Sequence, residues 1–168
     1  MAQLDRPDGS IYVSISLGES NAGSVAVVRV IESKEMESGK IVFLNATEME
    51  KQLGASRNVN LYGILFDFDK DIPRPESKPT LDEIAKLMGR MQQLRLKVVG
   101  HTDNRGAADY NLDLSRRRAA GVVAALTREY GIAADRLSSE GAGAGSPTAS
   151  NDDEVGRAKN RRVQLISQ

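Results

Sequence analysis

Apolar and polar positions alternate along residues 11–17. Ile11, Val13, Ile15 and Leu17 fall on one side, and Tyr12, Ser14 and Ser16 on the other. This period of two marks a half-buried strand. A turn-rich break from Gly18 to Gly23 separates it from a β-branched run over 24–31, SVAVVRVI. The pair predicts an antiparallel hairpin with a loop of moderate length. A short strand over 41–44 is expected next. Asn45 followed three residues later by Glu48 is a helix-start pattern. Met49 and Leu53 lie one turn apart behind it, and Gly54 is expected to stop this short helix. Residues 1–59 thus read as a small β-rich antiparallel module with a short helix, too small to be secure alone and expected to pack on the larger C-terminal part of the chain.

From about residue 60 the pattern becomes an alternation of strands and helices. Residues 61–66, LYGILF, are nearly all apolar, as in a buried strand. Pro73, Pro75 and Ser77 break the chain. Leu81, Ile84, Met88 and Met91 then recur at helical spacing, with Asp82 and Lys86 expected to pair on the outside. The next expected strand covers 94–100. Asp109 is the expected N-cap of a long helix that runs to Tyr130, and Gly131 is its stop. A short strand over 137–140, a small-residue loop over 141–151 containing Pro147, and a closing strand over 162–166 complete the chain. The predicted fold class is α+β. A mixed sheet in βαβαβ-β order, with helices on one face, occupies 60–168, after the N-terminal module.

Composition narrows the function. A chain of 168 residues, 40% hydrophobic, holds one ordinary domain plus a small extra module. Lys plus Arg equals Asp plus Glu at 23 each. No overall field therefore favours nucleic acid or an anionic membrane. The absence of Cys excludes a disulfide scaffold, a thiolate metal site and a Cys nucleophile. The start, MAQLDRPDGS, lacks the apolar core of a signal peptide, and no run approaches membrane-spanning length. Two readings stay open: a cytosolic protein, or one whose export segment has been removed.

The richest stretch is 100–118, GHTDNRGAADYNLDLSRRR. Asp103 falls in a tight polar turn between a strand and the long helix. On that helix Leu112, Ala119, Val122, Val123 and Leu126 form the apolar stripe. Arg117 is expected to face water, Arg116 to flank one border and Arg118 the other, which Asn111 and Ser115 share. A carboxylate and a guanidinium at one site can grip the ammonium and the carboxylate of a single zwitterion. Spacing is equally compatible with a solvated helix border and with a turn Asp bonded to its own backbone. The convergence of both groups at the C-terminal ends of strands favours a ligand site.

Other constellations fail. His101, Asp103 and Ser115 do not make a hydrolase: neighbouring positions at one strand end prevent Asp103 from orienting the imidazole, and no G-x-S-x-G occurs. His101, the single histidine, is expected to be hydrogen-bonded at its strand end. Asp67, Asp69 and Asp71 imitate the start of a calcium loop, but Ile72 and Lys78 stand where Gly and Glu are needed, so no metal is expected. Gly141, Gly143 and Gly145 do not complete G-x-G-x-x-G, because Ser146 takes the sixth place. Asn45-Ala46-Thr47 is a glycosylation sequon by pattern only. Arg157, Lys159, Arg161 and Arg162 concentrate charge near the end. Without interleaved aromatics they read as a basic helix end rather than a nucleic-acid surface.

Several separated motifs, in order, resemble the OmpA-like peptidoglycan-binding domain over about residues 60–168. They are Phe66-Asp67-Phe68-Asp69, Gly100-His101-Thr102-Asp103 with Gly106, and Tyr110-Asn111-x-x-Leu114-Ser115-x-x-Arg118-Ala119. Gly131-Ile132, Arg136-Leu137, Pro147, Asn151 and Gly156-Arg157-x-x-Asn160-Arg161-Arg162-Val163 continue the match. The resemblance implies a non-enzymatic binder of the cell wall whose ligand is the meso-diaminopimelate of the peptide stem. It implies that Asp103 takes the ammonium and Arg118 the carboxylate. Thr102, Asn111 and Arg161 would support them, and Asp69 would border the site. No cofactor is implied. The implied location is the periplasm or the outer membrane, as an anchor of an envelope component. The alternative is an envelope protein-interaction module in which residues 1–59 dock a partner. A homodimer is left open.

Overall fold

The computed structural model describes residues 2–6, 9–20, 23–34 and 43–168. The chain divides into two compact units, Met1–Lys40 and Ile41–Gln168. The expected boundary at 59/60 falls inside a strand of the second unit.

In the first unit β1 (Ala2–Arg6), β2 (Gly9–Ser20) and β3 (Gly23–Lys34) form an antiparallel sheet in the order β1-β2-β3. The alternating run expected at 11–17 lies within β2. Its register sets Val13, Ile15 and Leu17 opposite Val30, Val28 and Ala26. The strands run further than expected, and pairing continues to Ser20 opposite Gly23. The expected loop of moderate length shrinks to two positions, because Gly18 and Ser20 extend the ladder instead of breaking it. β1 carries too short a pattern to be expected at all.

The second unit opens with α1 (Ala46–Ser56). Asn45 accepts from the Glu48 backbone N–H at 3.0 Å while the Glu48 carboxylate accepts from Asn45 N–H at 3.1 Å. This is the reciprocal cap that the spacing predicts. Gly54 does not end the helix. It lies inside, and Arg57 ends it in the left-handed conformation at φ 59°. Phe43 and Leu44 are not in a strand, and residues 41–42 lie outside the described residues.

Next come β4 (Asn58–Leu61), α2 (Lys78–Arg90), β5 (Leu96–His101), α3 (Ala108–Tyr130), β6 (Leu137–Gly143), α4 (Glu154–Asn160) and β7 (Val163–Ser167). The sheet order is β4-β7-β5-β6, with β5 and β6 parallel and the other pairs antiparallel. The first strand is shifted from the expected 61–66 to Asn58–Leu61. Only Phe66, in an isolated bridge to Pro73, pairs beyond it. Pro73, which has no N–H to offer a ladder, favours this loop over a longer strand.

The core is one cluster. Val59, Leu61, Leu96, Val98, Val163 and Leu165 from the sheet meet Met49 and Leu53 of α1, Leu81, Ile84, Leu87 and Met88 of α2, and Ala119, Val122 and Leu126 of α3. Each fully buried aliphatic side chain contributes about 1.5–3 kcal/mol. The helices lie on one face, as expected. Asp82 does not pair with Lys86. It accepts from Lys78 at 2.8 Å and from the Tyr130 hydroxyl at 2.7 Å, and Lys86 turns to Glu83.

α3 starts at Ala108, with Ala107 as an uncapped N-cap residue and Asp109 in its first turn, not at its cap. Gly131 ends it at φ 66°, as expected. Its buried face is Asn111, Leu114, Ser115, Ala119, Val122, Ala125 and Leu126, while Leu112 is exposed. The face is turned because the helix lies directly on two glycines. A Cβ on Gly100 would overlap the Ser115 carbonyl, and one on Gly141 would meet Ser115 Oγ and Arg116 N. This close approach brings the 111–118 stretch against the ends of β5 and β6.

Candidate functional site

Asp103 lies two residues beyond the end of β5 and is 8% exposed. Thr102 N–H continues the β5–β6 pairing by donating to Gly143 O at 2.9 Å, which fixes where the chain leaves the sheet. Asp103 Oδ1 accepts from Arg105 N–H at 3.0 Å. Its Oδ2 accepts from Arg161 Nη1 at 2.7 Å. The turn-Asp bond to its own backbone is therefore present, and it occupies one oxygen only.

Arg161 comes directly after α4. Its other nitrogen, Nη2, donates to Glu154 at 2.6 Å. Burial opposes its charge, yet the bonds to Asp103 and Glu154 raise its pKa. The scaffold beneath this pair was not foreseen from sequence. Asn160 is fully buried; its Oδ1 accepts from Thr148 N–H at 2.8 Å and Ala149 N–H at 3.1 Å. Its Nδ2 donates to Asn151 Oδ1 at 3.0 Å, which in turn accepts from Asn104 N–H at 3.3 Å. One amide thus ties the 148–151 loop to the Asp103 turn. Both asparagines, Asn151 and Asn160, fall in the motif run noted in the sequence, but nothing there shows that they bond to each other.

Asn111 and Ser115 do not share a solvated border. Asn111 is buried and donates from Nδ2 to Arg105 O at 2.9 Å and Asp103 O at 3.4 Å. Ser115 is fully buried and its Oγ accepts from Gly143 N–H at 2.9 Å. Both hold the backbone around Asp103. Thr102 is buried too, and its Oγ1 has no hydrogen-bond partner among the described residues. A buried hydroxyl left unpaired typically costs about 1–3 kcal/mol.

Arg118 is half-buried on α3. Its Nε donates to Lys70 O at 3.1 Å and its Nη2 to Asp67 O at 3.3 Å. Its guanidinium lies 4.9 Å from the Phe66 ring centroid, within cation–π range. No carboxylate pairs with it among the described residues. Burial lowers its pKa; the charges of Arg117 and Arg161 add to the effect, and Tyr110 and Asp69 oppose it. Asp103 and Arg118 make no bond to each other. Arg161 stands between them in the electrostatics: it grips the first and is near enough to act on the second.

Asp69 sits in the left-handed region at φ 54°. Its carboxylate accepts from Tyr110 Oη at 2.9 Å and from Arg117 Nη2 at 3.2 Å, and these bonds, Tyr110 foremost, hold its pKa below the ordinary range. Arg117 does not point into bulk water as expected; it also pairs with Asp113 at 2.8 Å. Asp69 therefore clamps the 67–70 loop whose carbonyls hold Arg118.

His101 differs from expectation. It is buried, and no group meets either ring nitrogen with hydrogen-bond geometry among the described residues. Burial first, then the Arg162 charge, push its pKa down to about 4, with Gln164 acting the other way. Asp103 turns to Arg161 and not to the imidazole, so no triad forms. Among the described residues no three His, Asp or Glu gather as metal ligands, and no helix is long and apolar enough to cross a membrane. A groove of about 800 Å³ runs between α3, the start of α2 and the 71–75 loop, lined by Ile72, Pro73, Gly121, Ala124 and Tyr130. It contains neither Asp103 nor Arg118.

The model of the OmpA family matches residues 65–161, more than half of the chain. Outer membrane protein A of Bordetella avium is 43% identical over 100 residues, covering 60% of this chain and 51% of that protein. The chain thus spans about half or less of the first curated relatives it matches. The peptidoglycan-associated lipoprotein of Burkholderia pseudomallei superposes with a TM-score of 0.57 at 31% identity, over 68% of this chain and 92% of that one. The cell wall anchor of the T6SS from Pseudomonas aeruginosa gives 0.57 at 30% identity, over 75% and 99%. The four-stranded mixed sheet, the helix layer and the motif order of this chain agree with these matches, and the chain belongs to the OmpA family.

Proposed function

We propose that this protein binds peptidoglycan without covalent chemistry, gripping the diaminopimelate of the peptide stem, and so anchors an envelope component to the cell wall in the periplasm or at the outer membrane. Asp103 receives the ammonium and Arg118 the carboxylate of the zwitterionic end. The observation that carries this reading is the state of Arg118. Its guanidinium is oriented by two carbonyls and an aromatic ring and is bonded to no carboxylate among the described residues; Asp69 and Tyr110 favour its charge only through space. A fixed guanidinium with no carboxylate bonded to it suits a planar carboxylate. The names of the similar structures, a peptidoglycan-associated lipoprotein and a cell wall anchor, support the same class of ligand.

The test is co-sedimentation with purified sacculi. The protein is expected to pellet with diaminopimelate-containing sacculi and far less with sacculi that carry lysine at that position. Asp103→Ala and Arg118→Ala are each expected to abolish pelleting. Truncating one member of a desolvated charge pair typically costs about 2–5 kcal/mol. Parental pelleting by either variant would overturn the assignment.

A further inference from the structure

The carboxylate assigned to the ligand's ammonium already carries a cation. Arg161 Nη1 lies 2.7 Å from Asp103 Oδ2. A guanidinium facing a single carboxylate closes on it with two parallel bonds. Here the fork is split. Arg161 Nη2 goes to Glu154 Oε1 at 2.6 Å, so only one nitrogen reaches Asp103. Asp103 keeps acceptor capacity, since its Oδ1 holds only the Arg105 N–H and Oδ2 only Arg161.

Glu154 is well placed to hold its share. It begins α4, whose N-terminus is capped by Asp153 accepting from Gly156 N–H at 2.6 Å. Its second oxygen takes Arg157 at 3.0 Å. Arg157 is anchored in turn by donating from Nη1 to Asn151 O at 2.8 Å and Asp152 O at 3.0 Å. The Asn151 side chain belongs to the network that ties this loop to the Asp103 turn. Two carboxylates and two guanidinium groups therefore form one row, Asp103–Arg161–Glu154–Arg157.

We propose that Glu154 is a positioning residue for wall binding: by engaging the second nitrogen of Arg161 it keeps the guanidinium fork from closing on Asp103, and so leaves that carboxylate open to an incoming ammonium. This rests on the diaminopimelate reading above. When the ammonium arrives at Asp103, Arg161 shifts its weight to Glu154 and remains paired throughout. Without Glu154, the ammonium must compete with a bidentate arginine for the same two oxygens. The bland counterpart is an exposed ion pair that merely steadies α4; the Arg161 and Glu154 side chains are 40% and 59% exposed.

A double-mutant cycle on the full chain separates these. Dissociation constants are taken from titrations against diaminopimelate-containing sacculi. Glu154→Ala is expected to weaken binding about fivefold with an unchanged melting temperature, the scale of one charge pair at a site rim. In an Arg161→Gln background, where no fork remains to close, the same substitution is expected to change nothing. Parental affinity for Glu154→Ala, or an equal loss in both backgrounds, overturns the proposal while the diaminopimelate reading stands. Parental binding by Asp103→Ala, measured in the same series, overturns that reading itself and the Glu154 proposal with it.

Discussion

The two charged groups of the proposed site are held in opposite ways. Asp103 hangs from the end of a buried strand and is already met by a guanidinium and a backbone N–H. Arg118 projects from the middle of a long helix and is met only by carbonyls and a ring. The difference arises from the cost of each charge in a half-dry place. A nearly buried carboxylate requires a counter-charge. A guanidinium is weakly hydrated and broad, so neutral dipoles and an aromatic face suffice for it. The acidic arm must therefore share its partner to accept a ligand, whereas the basic arm is ready as it stands. The two arms also rest on different supports, and perturbing one support at a time tests the contrast.

The largest effect is expected from acid, and it should strike the acidic arm. His101 ends the strand from which Asp103 departs, and its pKa is pushed from 6.5 to about 4. In the unfolded chain the imidazole takes up a proton near pH 6.5, and in the folded protein only near pH 4. Between these values the unfolded state binds more protons, so stability is lost as pH falls through this window and levels off below it. The span corresponds to up to about 3 kcal/mol. Urea unfolding followed by circular dichroism across the window should show the midpoint falling. His101→Gln should flatten that slope while leaving the separate, more acidic loss due to carboxylates. A slope unchanged by the substitution would place the sensitivity elsewhere.

A smaller effect is expected when the basic arm keeps its charge and loses its shape. Arg118→Lys retains a cation but cannot donate from Nε and Nη2 to two carbonyls while offering a planar edge to a carboxylate. Binding to diaminopimelate-containing sacculi should weaken roughly tenfold, with the melting temperature almost unchanged. Lysine performing as well as arginine would mean that only charge matters there, and the contrast between the arms would dissolve.

The range of each interaction decides how much of the fold and the site is legible in the sequence. The Asn45 and Glu48 cap and the Gly131 stop are encoded within one helical turn, and both are present. Asp103 and Arg118 can be singled out because each sits in a distinctive short motif. The α3 face departs from its expected course at Leu112, Asn111 and Ser115. Periodicity locates a stripe, but the sites of close approach, Gly100 and Gly141, rotate the helix so that polar Asn111 and Ser115 are buried where they can bond the backbone. Asp82 takes Lys78 over Lys86 because Tyr130, from another helix, favours that side. The carbonyl cradle of Arg118 is made of backbone groups from a distant loop, for which no residue pattern exists. Although Asn151 and Asn160 both fall in the motif run, their partners, the Thr148, Ala149 and Asn104 backbone N–H groups, leave no mark in it.

The smallest effect concerns the cradle itself. Lys70 O and Asp67 O can hold Arg118 only while the 67–70 loop keeps its course, and that course includes a left-handed Asp69. A non-glycine residue there is held at some cost, typically about 1 kcal/mol, by bonds elsewhere. Tyr110 Oη and Arg117 Nη2 supply those bonds to the Asp69 carboxylate, and both come from α3, the helix that bears Arg118. Loop and arginine are thus referenced to the same helix. Tyr110→Phe removes one exposed hydrogen bond and keeps the ring. A solvent-exposed bond of this kind contributes little, and Arg117 still holds the loop, so wall affinity should drop only about two- to threefold. The effect should be absent in the Arg118→Lys background, which still binds but no longer bridges the two loop carbonyls, because Tyr110 acts on binding only through the cradle. A loss at Tyr110→Phe as large as that at Arg118→Lys would show that the tyrosine hydroxyl meets the ligand directly, and would move the acidic and basic arms closer together than their present partners suggest.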